Sequence, residues 1–223
     1  MRAISKYLEP KSLAEYRAKI GFARLRVPEA KSIFEDLPGK DDLRSSLVAE
    51  QRGLCCYCLC RIRPDLDSMK IEHWHSQSNH PQERLDYSNL LAACKGGEGT
   101  KNHQHCDTSR GSQNISRNPA NPQHVVDSLI RFRDHDGMIS SDDPHFDDEL
   151  NRVLNLNQPF LMERRKEVLE GFIEALGKAR RLGSADWVRF LADWNGDSHS
   201  AELRPFCQVV VYWLQKKVRR ANS

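Results

Sequence analysis

Residues 54–111 contain L-C-C-Y-C-L-C-R at 54–61, K-I-E-H-W-H at 70–75, D-Y-S-N-L-L-A-A-C at 86–94 and H-Q-H-C-D-T-S-R-G at 103–111. Six of the seven cysteines and five of the nine histidines in the chain fall here. Cys55 and Cys58 form a C-x-x-C pair, a spacing that lets two thiolates on one tight turn reach the same ion. Cys94 and Cys106 can supply the second pair. Four thiolates satisfy tetrahedral Zn²⁺ and leave no open position, the mark of a structural site. Reduced thiols fit a chain without an export signal. Cys94 and Cys106 are separated by the insert K-G-G-E-G-T-K-N-H-Q-H, so His103 or His105 is an alternative ligand to one thiolate. Cys56 and Cys60 read as small apolar side chains beside the knuckle.

The same stretch carries a second set of residues. Met69-Lys70-Ile71 is a β-type run that ends at Glu72-His73. Leu90-Leu91-Ala92-Ala93 is a second apolar run, preceded by Asn89. Cys106-Asp107 opens a short helix with Arg110 near its first turn. A hard divalent cation needs oxygen ligands and stabilises charge on a phosphate. A neutral imidazole can take a proton from water near neutrality. An amide can orient that ring, and a cation can offset developing charge. The set is a workable kit for phosphodiester hydrolysis.

The order C-x-x-C, E-H, N-L-L-x-x-C, C-D-x-x-R-G resembles the zinc-knuckled HNH endonucleases, whose core is the ββα-metal fold. Many of these read C-N-x-x-K-G at the last element. The resemblance implies that His73 is the general base and that Asn89 orients it. It implies that Glu72 and Asp107 hold a catalytic Mg²⁺ or Mn²⁺ and that Arg110 faces the phosphate. The Zn²⁺ at Cys55, Cys58, Cys94 and Cys106 would then hold the core together without touching chemistry.

The expected fold class is α+β: a zinc-knuckled ββα-metal core flanked by helices, with a C-terminal β-hairpin and helical region. Residues 1–53 read as a helical lead-in, 54–118 as the nuclease core and 119–223 as the hairpin and helices. Ser12–Lys19 and Asp41–Gln51 are helix-like, with Gly53 suited to cap the second; Pro10, Gly21, Pro28 and Pro38-Gly39 punctuate the lead-in. Val125–Ile139 reads as strand, Asp136-Gly137 turn and returning strand. Leu161, Val168, Leu169, Phe172, Ile173 and Leu176 form a helical stripe. Ala185–Ala192 and Leu203–Val218 are two further helices, the last with Phe206, Val210, Trp213 and Leu214 on its apolar face. The basic clusters Arg164-Arg165-Lys166, Arg180-Arg181 and Lys216–Arg220 read as solvated faces. Trp187, Trp194 and Trp213 read as core completion or as interface anchors.

The order of D-G-M-I, L-N-L-N and then Leu161 with Arg165 resembles one HNH branch, the PtuB-like subunits of Septu-type and retron-associated antiviral defence systems. That resemblance implies an ABC/SMC-type, PtuA-like ATPase partner, and in some systems a retron reverse transcriptase with its RNA–DNA hybrid.

Net charge is +3, and residues 54–125 hold eight Lys and Arg against seven Asp and Glu. A polyanion is held mainly through neutralised phosphates, so this core has few cations to spare and is expected to work inside a complex. No apolar run reaches membrane-spanning length, and a cytoplasmic setting is expected. The expected activity is that of an HNH endonuclease cutting DNA or RNA as the effector of an antiphage complex. The alternatives are a non-catalytic zinc-binding adaptor of an ATPase and a stand-alone restriction-type HNH nuclease.

Overall fold

A computed structural model describes residues 1–21, 32–177, 182–197 and 201–221 of the 223-residue chain. Pro28 and the Arg180-Arg181 pair lie outside the described residues. The architecture is α+β, with small two-stranded sheets among helices.

Helix α1 spans Lys11–Lys19 and α2 spans Lys40–Glu50. Helix α2 carries Asp41 and Asp42 in its first turn, where the helix dipole favours them. It buries Leu43, Leu47 and Val48. Its exit turns sharply: Arg52 and Gly53 both have positive φ, and the Gly53 amide donates to the Val48 carbonyl at 2.9 Å. Gly53 has φ +77°, a conformation in which a side chain is strained, and this lets the turn close onto the next segment. The turn delivers Leu54 into a bridge with Arg61, which frames the C-x-x-C loop.

Strands β1 (Met69–His73) and β2 (Leu90–Cys94) pair antiparallel, with Glu72 opposite Leu91 and His73 opposite Leu90. All five residues of β2 are buried, as its unbroken apolar run requires. The short helix α3 (Cys106–Arg110) packs on β2 and completes a strand–strand–helix unit.

Helix α4 (Val126–Leu129) precedes a second hairpin, β3 (Ile130–Phe132) and β4 (Ile139–Ser141). The hairpin is thus shorter than Val125–Ile139 implied. Val125 has positive φ, and residues 126–129 form a helical turn instead of strand. Asp136 accepts from the Arg133 side chain and the Met138 amide, and Gly137 makes the turn at positive φ.

Helix α5 (Pro144–Asp148) runs into a π-turn at Glu149–Val153. Helices α6 (Pro159–Gly177), α7 (Ser184–Asn195) and α8 (Cys207–Ala221) follow. Leu161, Leu169 and Phe172 are buried on α6, whereas Ile173 is exposed, so the apolar stripe is narrower than its spacing suggested. Trp194 and Trp213 pack against Phe172, with ring centroids 5.2 and 6.0 Å away, and Trp187 packs against Trp213 at 5.9 Å. One apolar cluster joins residues as distant in sequence as Met1, Leu43, Leu90, Ile130, Leu161 and Leu214.

Arg165 departs from the solvated-face reading of its cluster. It is 3% exposed, and its guanidinium donates to the carbonyls of Gly137 and Leu156 and to Asn157 Oδ1. The D-G turn, the L-N-L-N segment and Arg165 therefore form one latch. That latch reaches the cysteine region: Leu154 carbonyl accepts from the Cys106 amide at 2.8 Å, and Asn155 Nδ2 donates to Gln104 carbonyl at 2.8 Å.

Candidate functional site

The sulfurs of Cys55, Cys58, Cys94 and Cys106 lie within 4.8 Å of one another, and all four residues are buried. Cys55–Cys106 is 3.9 Å and Cys58–Cys94 is 3.8 Å. Zn–S bonds of about 2.3 Å set tetrahedral sulfurs roughly 3.8 Å apart, so the donor set fits such an ion. None of the four is in a disulfide. The Cys94 amide donates to Cys55 Sγ at 3.3 Å, a bond that supports thiolate charge.

The twelve-residue separation of Cys94 and Cys106 is resolved by the glycines between them. Gly96 and Gly97 have positive φ, and a Cβ on either would stand 2.2–2.3 Å from the carbonyl oxygens of His105 or His103. The loop therefore folds flat on itself and returns Cys106 to Cys94. His103 is exposed and falls outside the four-sulfur set. His105 is buried with Nε2 3.7 Å from Cys94 Sγ, beside the four-sulfur set and not part of it. Cys56, buried, and Cys60, half-buried, also fall outside that set. The buried cysteine cluster can hold a metal such as zinc.

The second constellation faces a cleft of about 540 Å³ lined by Lys70, Glu72, His73, Asp107 and Thr108, among others. Strand β1 brings Glu72 and His73, and the first turn of α3 brings Asp107. Glu72 is 4% exposed. Tyr57 Oη donates to Glu72 Oε1 at 2.7 Å, and Arg110 Nη1 bonds the same oxygen. Burial, then the adjacent Asp107 carboxylate, push the Glu72 carboxyl well above the usual range; Arg110 and Tyr57 pull the other way without cancelling this. Two carboxylates at such close quarters favour a cation between them. Their oxygens are the donor type a hard divalent ion takes.

His73 is 6% exposed, and burial lowers its pKa to about 4, so the ring is neutral at neutral pH. Its Nε2 lies 3.0 Å from the Arg84 carbonyl. A carbonyl only accepts, so Nε2 carries the proton and Nδ1 keeps the lone pair. The group that orients His73 is thus the Arg84 backbone.

Asn89, expected to orient the ring, bonds elsewhere. Its Oδ1 accepts from the His75 amide at 2.7 Å, and its Nδ2 donates to the carbonyls of His75 (3.1 Å) and Glu83 (3.2 Å). It pins the loop between β1 and β2, from which the Arg84 carbonyl reaches His73. Its effect on the ring is indirect.

Arg110, expected to face a phosphate, is an interior residue at 1% exposure. Besides Glu72 and Tyr57 it donates to the carbonyls of His73, Trp74 and Gln113. These bonds engage Nε, Nη1 and Nη2 and turn the guanidinium into the interior. Among the described residues lining the cleft, the cation is Lys70, which lies 3.5 Å from Asp107 and 2.9 Å from Thr108 Oγ1. Tyr57, Lys70 and Arg84 were absent from the set read from sequence. A tyrosine inside the C-C-Y-C knuckle and a lysine two residues before Glu72 were the available signals; a backbone carbonyl leaves none.

The fold and these sites define an α+β chain with a buried four-cysteine metal-type cluster beside a carboxylate–histidine cleft. No protein-family profile matches the chain. It is similar to the Septu protein PtuB of Bacillus thuringiensis, with 24% identity over 138 residues, 61% of this chain and 52% of that protein. The chain therefore spans about half the length of this curated relative. Among the described residues, no helix is long and apolar enough to cross a membrane.

Proposed function

We propose that the chain is a metal-dependent endonuclease of the HNH type, hydrolysing phosphodiester bonds in DNA or RNA as part of a Septu-like antiphage defence complex. One observation carries the reading. A neutral histidine with its tautomer fixed shares a cleft with two carboxylates, Glu72 and Asp107, and burial together with the neighbouring Asp107 holds the Glu72 carboxyl above its usual range. Segment 54–118 is the nuclease core, and the rest of the chain braces it.

Glu72 and Asp107 would hold the Mg²⁺ or Mn²⁺. When bound, such an ion supplies positive charge to phosphate oxygens. His73 takes the proton of the attacking water at Nδ1, while the Arg84 carbonyl holds the ring through Nε2–H. Arg110 and Tyr57 fix the Glu72 carboxylate. Lys70 stands at the cleft as the cation nearest an incoming phosphate. Cys55, Cys58, Cys94 and Cys106 would hold the Zn²⁺, which would tie the C-x-x-C loop, β2 and α3 together and keep Glu72 and Asp107 on facing elements.

The partner reading rests on the PtuB likeness and on the low charge of the core. An ABC/SMC-type ATPase would supply the nucleic-acid grip that eight basic against seven acidic residues in 54–125 do not. The test is a cleavage assay on plasmid DNA and total RNA with Mg²⁺ or Mn²⁺, with and without a PtuA-like ATPase. Metal-dependent cleavage that is lost in His73→Ala supports the reading. Equal activity in His73→Ala, or none under any of these conditions, refutes it.

A further inference from the structure

A second group of metal-type ligands lies on the loop between β1 and β2. His75, His80 and Glu83 each offer one ligand atom, and the three atoms lie within 4.8 Å of one another. His75 Nδ1 is 2.5 Å from Glu83 Oε2, and His80 Nδ1 is 3.8 Å from Glu83 Oε1. The two imidazoles stack with centroids 4.3 Å apart and planes 20° from parallel.

Two nitrogens and a carboxylate oxygen bound at about 2.0–2.2 Å in a tetrahedral array sit roughly 3.4 Å apart. The present separations straddle that value, so small side-chain rotations suffice. The three side chains are 29–35% exposed, which leaves solvent a route to an open coordination position. The backbone beneath them is built to hold them. The buried Asn89 amide bonds both the N–H and the C=O of His75 and the C=O of Glu83. The His80 amide donates to the Ser76 carbonyl at 2.9 Å, and the Glu83 amide donates to the His80 carbonyl at 3.0 Å. Each ligand-bearing residue is therefore fixed by hydrogen bonds of its own main chain.

We infer that His75, His80 and Glu83 form a third metal site, distinct from the cysteine cluster and from the Glu72–Asp107 pair, for a divalent transition ion of the Zn²⁺–Ni²⁺ class. Two imidazoles select this class over Mg²⁺ and Ca²⁺, which take oxygen donors. Three protein ligands with an open position match sites that bind a water or a substrate atom, not closed structural ones.

Ni²⁺ titration tests the inference without any activity readout. The full chain, purified with its tightly bound ion and kept in excess Mg²⁺ to fill the Glu72–Asp107 pair, is titrated with Ni²⁺ by calorimetry as wild type and as Glu72→Gln, His80→Ala, His80→Cys and Glu83→Gln. One Ni²⁺ equivalent is expected in wild type, unchanged in Glu72→Gln and retained in His80→Cys. His80→Ala and Glu83→Gln should weaken it at least about 10-fold, the size of effect that loss of even an outer-shell partner produces. His80 is partly exposed, so its removal leaves the interior intact, and an unchanged far-UV spectrum verifies this. Absence of Ni²⁺ uptake by wild type, or uptake by His80→Ala equal to wild type, overturns the site. So does loss of uptake in Glu72→Gln, which would assign the ion to the cleft.

Discussion

Replacing Arg110 by Met separates two roles that the sequence alone confuses. A phosphate-facing arginine would cost activity and little stability. An interior arginine costs stability first. Arg110 is 1% exposed and bonds Glu72, Tyr57 and the carbonyls of His73, Trp74 and Gln113. Its loss leaves a 4%-exposed carboxylate without its cation, and carbonyls at the end of β1 without a donor. Breaking a buried pair by removing one partner costs about 3–5 kcal/mol. In a chain of this size each kcal/mol moves Tm by about 2–4 °C, so a fall of roughly 6 to 20 °C is expected. Arg110→Lys keeps the charge but cannot span these acceptors with one ammonium, and should recover only part of the loss. Glu72→Gln removes the stranded charge. The double variant Arg110→Met/Glu72→Gln should therefore be less destabilised than the sum of the singles, with a coupling of about 1–3 kcal/mol. Thermal and urea denaturation of the four proteins measure this. An Arg110→Met protein with wild-type Tm and normal urea midpoint would refute the interior role, whatever its activity.

Cys58→Ser should release one zinc per chain and lower Tm, since a structural ion contributes folding free energy; elemental analysis beside a melting curve decides it. His73→Ala should lower cleavage by about 10²–10⁴-fold, read in a Mg²⁺-dependent assay at neutral pH. The His73 ring also has a pH signature. Its folded pKa of about 4 lies below the unfolded 6.5, so the unfolded chain binds more protons between these values. Its contribution, at most about 3 kcal/mol, is present above pH 6.5 and lost as pH falls through 4; Tm of wild type should drop more steeply over that window than Tm of His73→Gln. Asn89→Ala should lower both cleavage and protection of amides in residues 75–84, with the Mg²⁺ requirement unchanged, whereas Asp107→Asn should raise the Mg²⁺ needed for half-maximal cleavage. Hydrogen exchange and Mg²⁺ titration distinguish the two.

The sequence by itself determined the chemistry available and much of the local structure. C-x-x-C beside two further cysteines named the four sulfurs that meet, because thiols in that number and spacing have few other uses in a reduced chain. The β-type run at 69–71 and the apolar run at 90–93 named the two strands, and acidic first-turn residues and glycines placed α2 and its exit. Helical periodicity gave α6 to α8 to within a few residues. Tertiary structure decided which atom bonds which. Gly96 and Gly97 let backbone lie on backbone, and that contact, not the spacing of cysteines, set the exposed His103 and the buried His105 outside the four-sulfur set. Arg110 and Arg165 look like surface cations in sequence, yet both are buried because carbonyls from distant segments converge on them. Asn89 and His73 stand beside the strand ends, Asn89 just before β2 and His73 at the end of β1. Their partners are a loop backbone and the Arg84 carbonyl, which are the same in every residue type and so write no signal into the sequence. Side-chain identity is local information, whereas the closing of loops that brings a main-chain oxygen to an imidazole is a property of the whole folded chain.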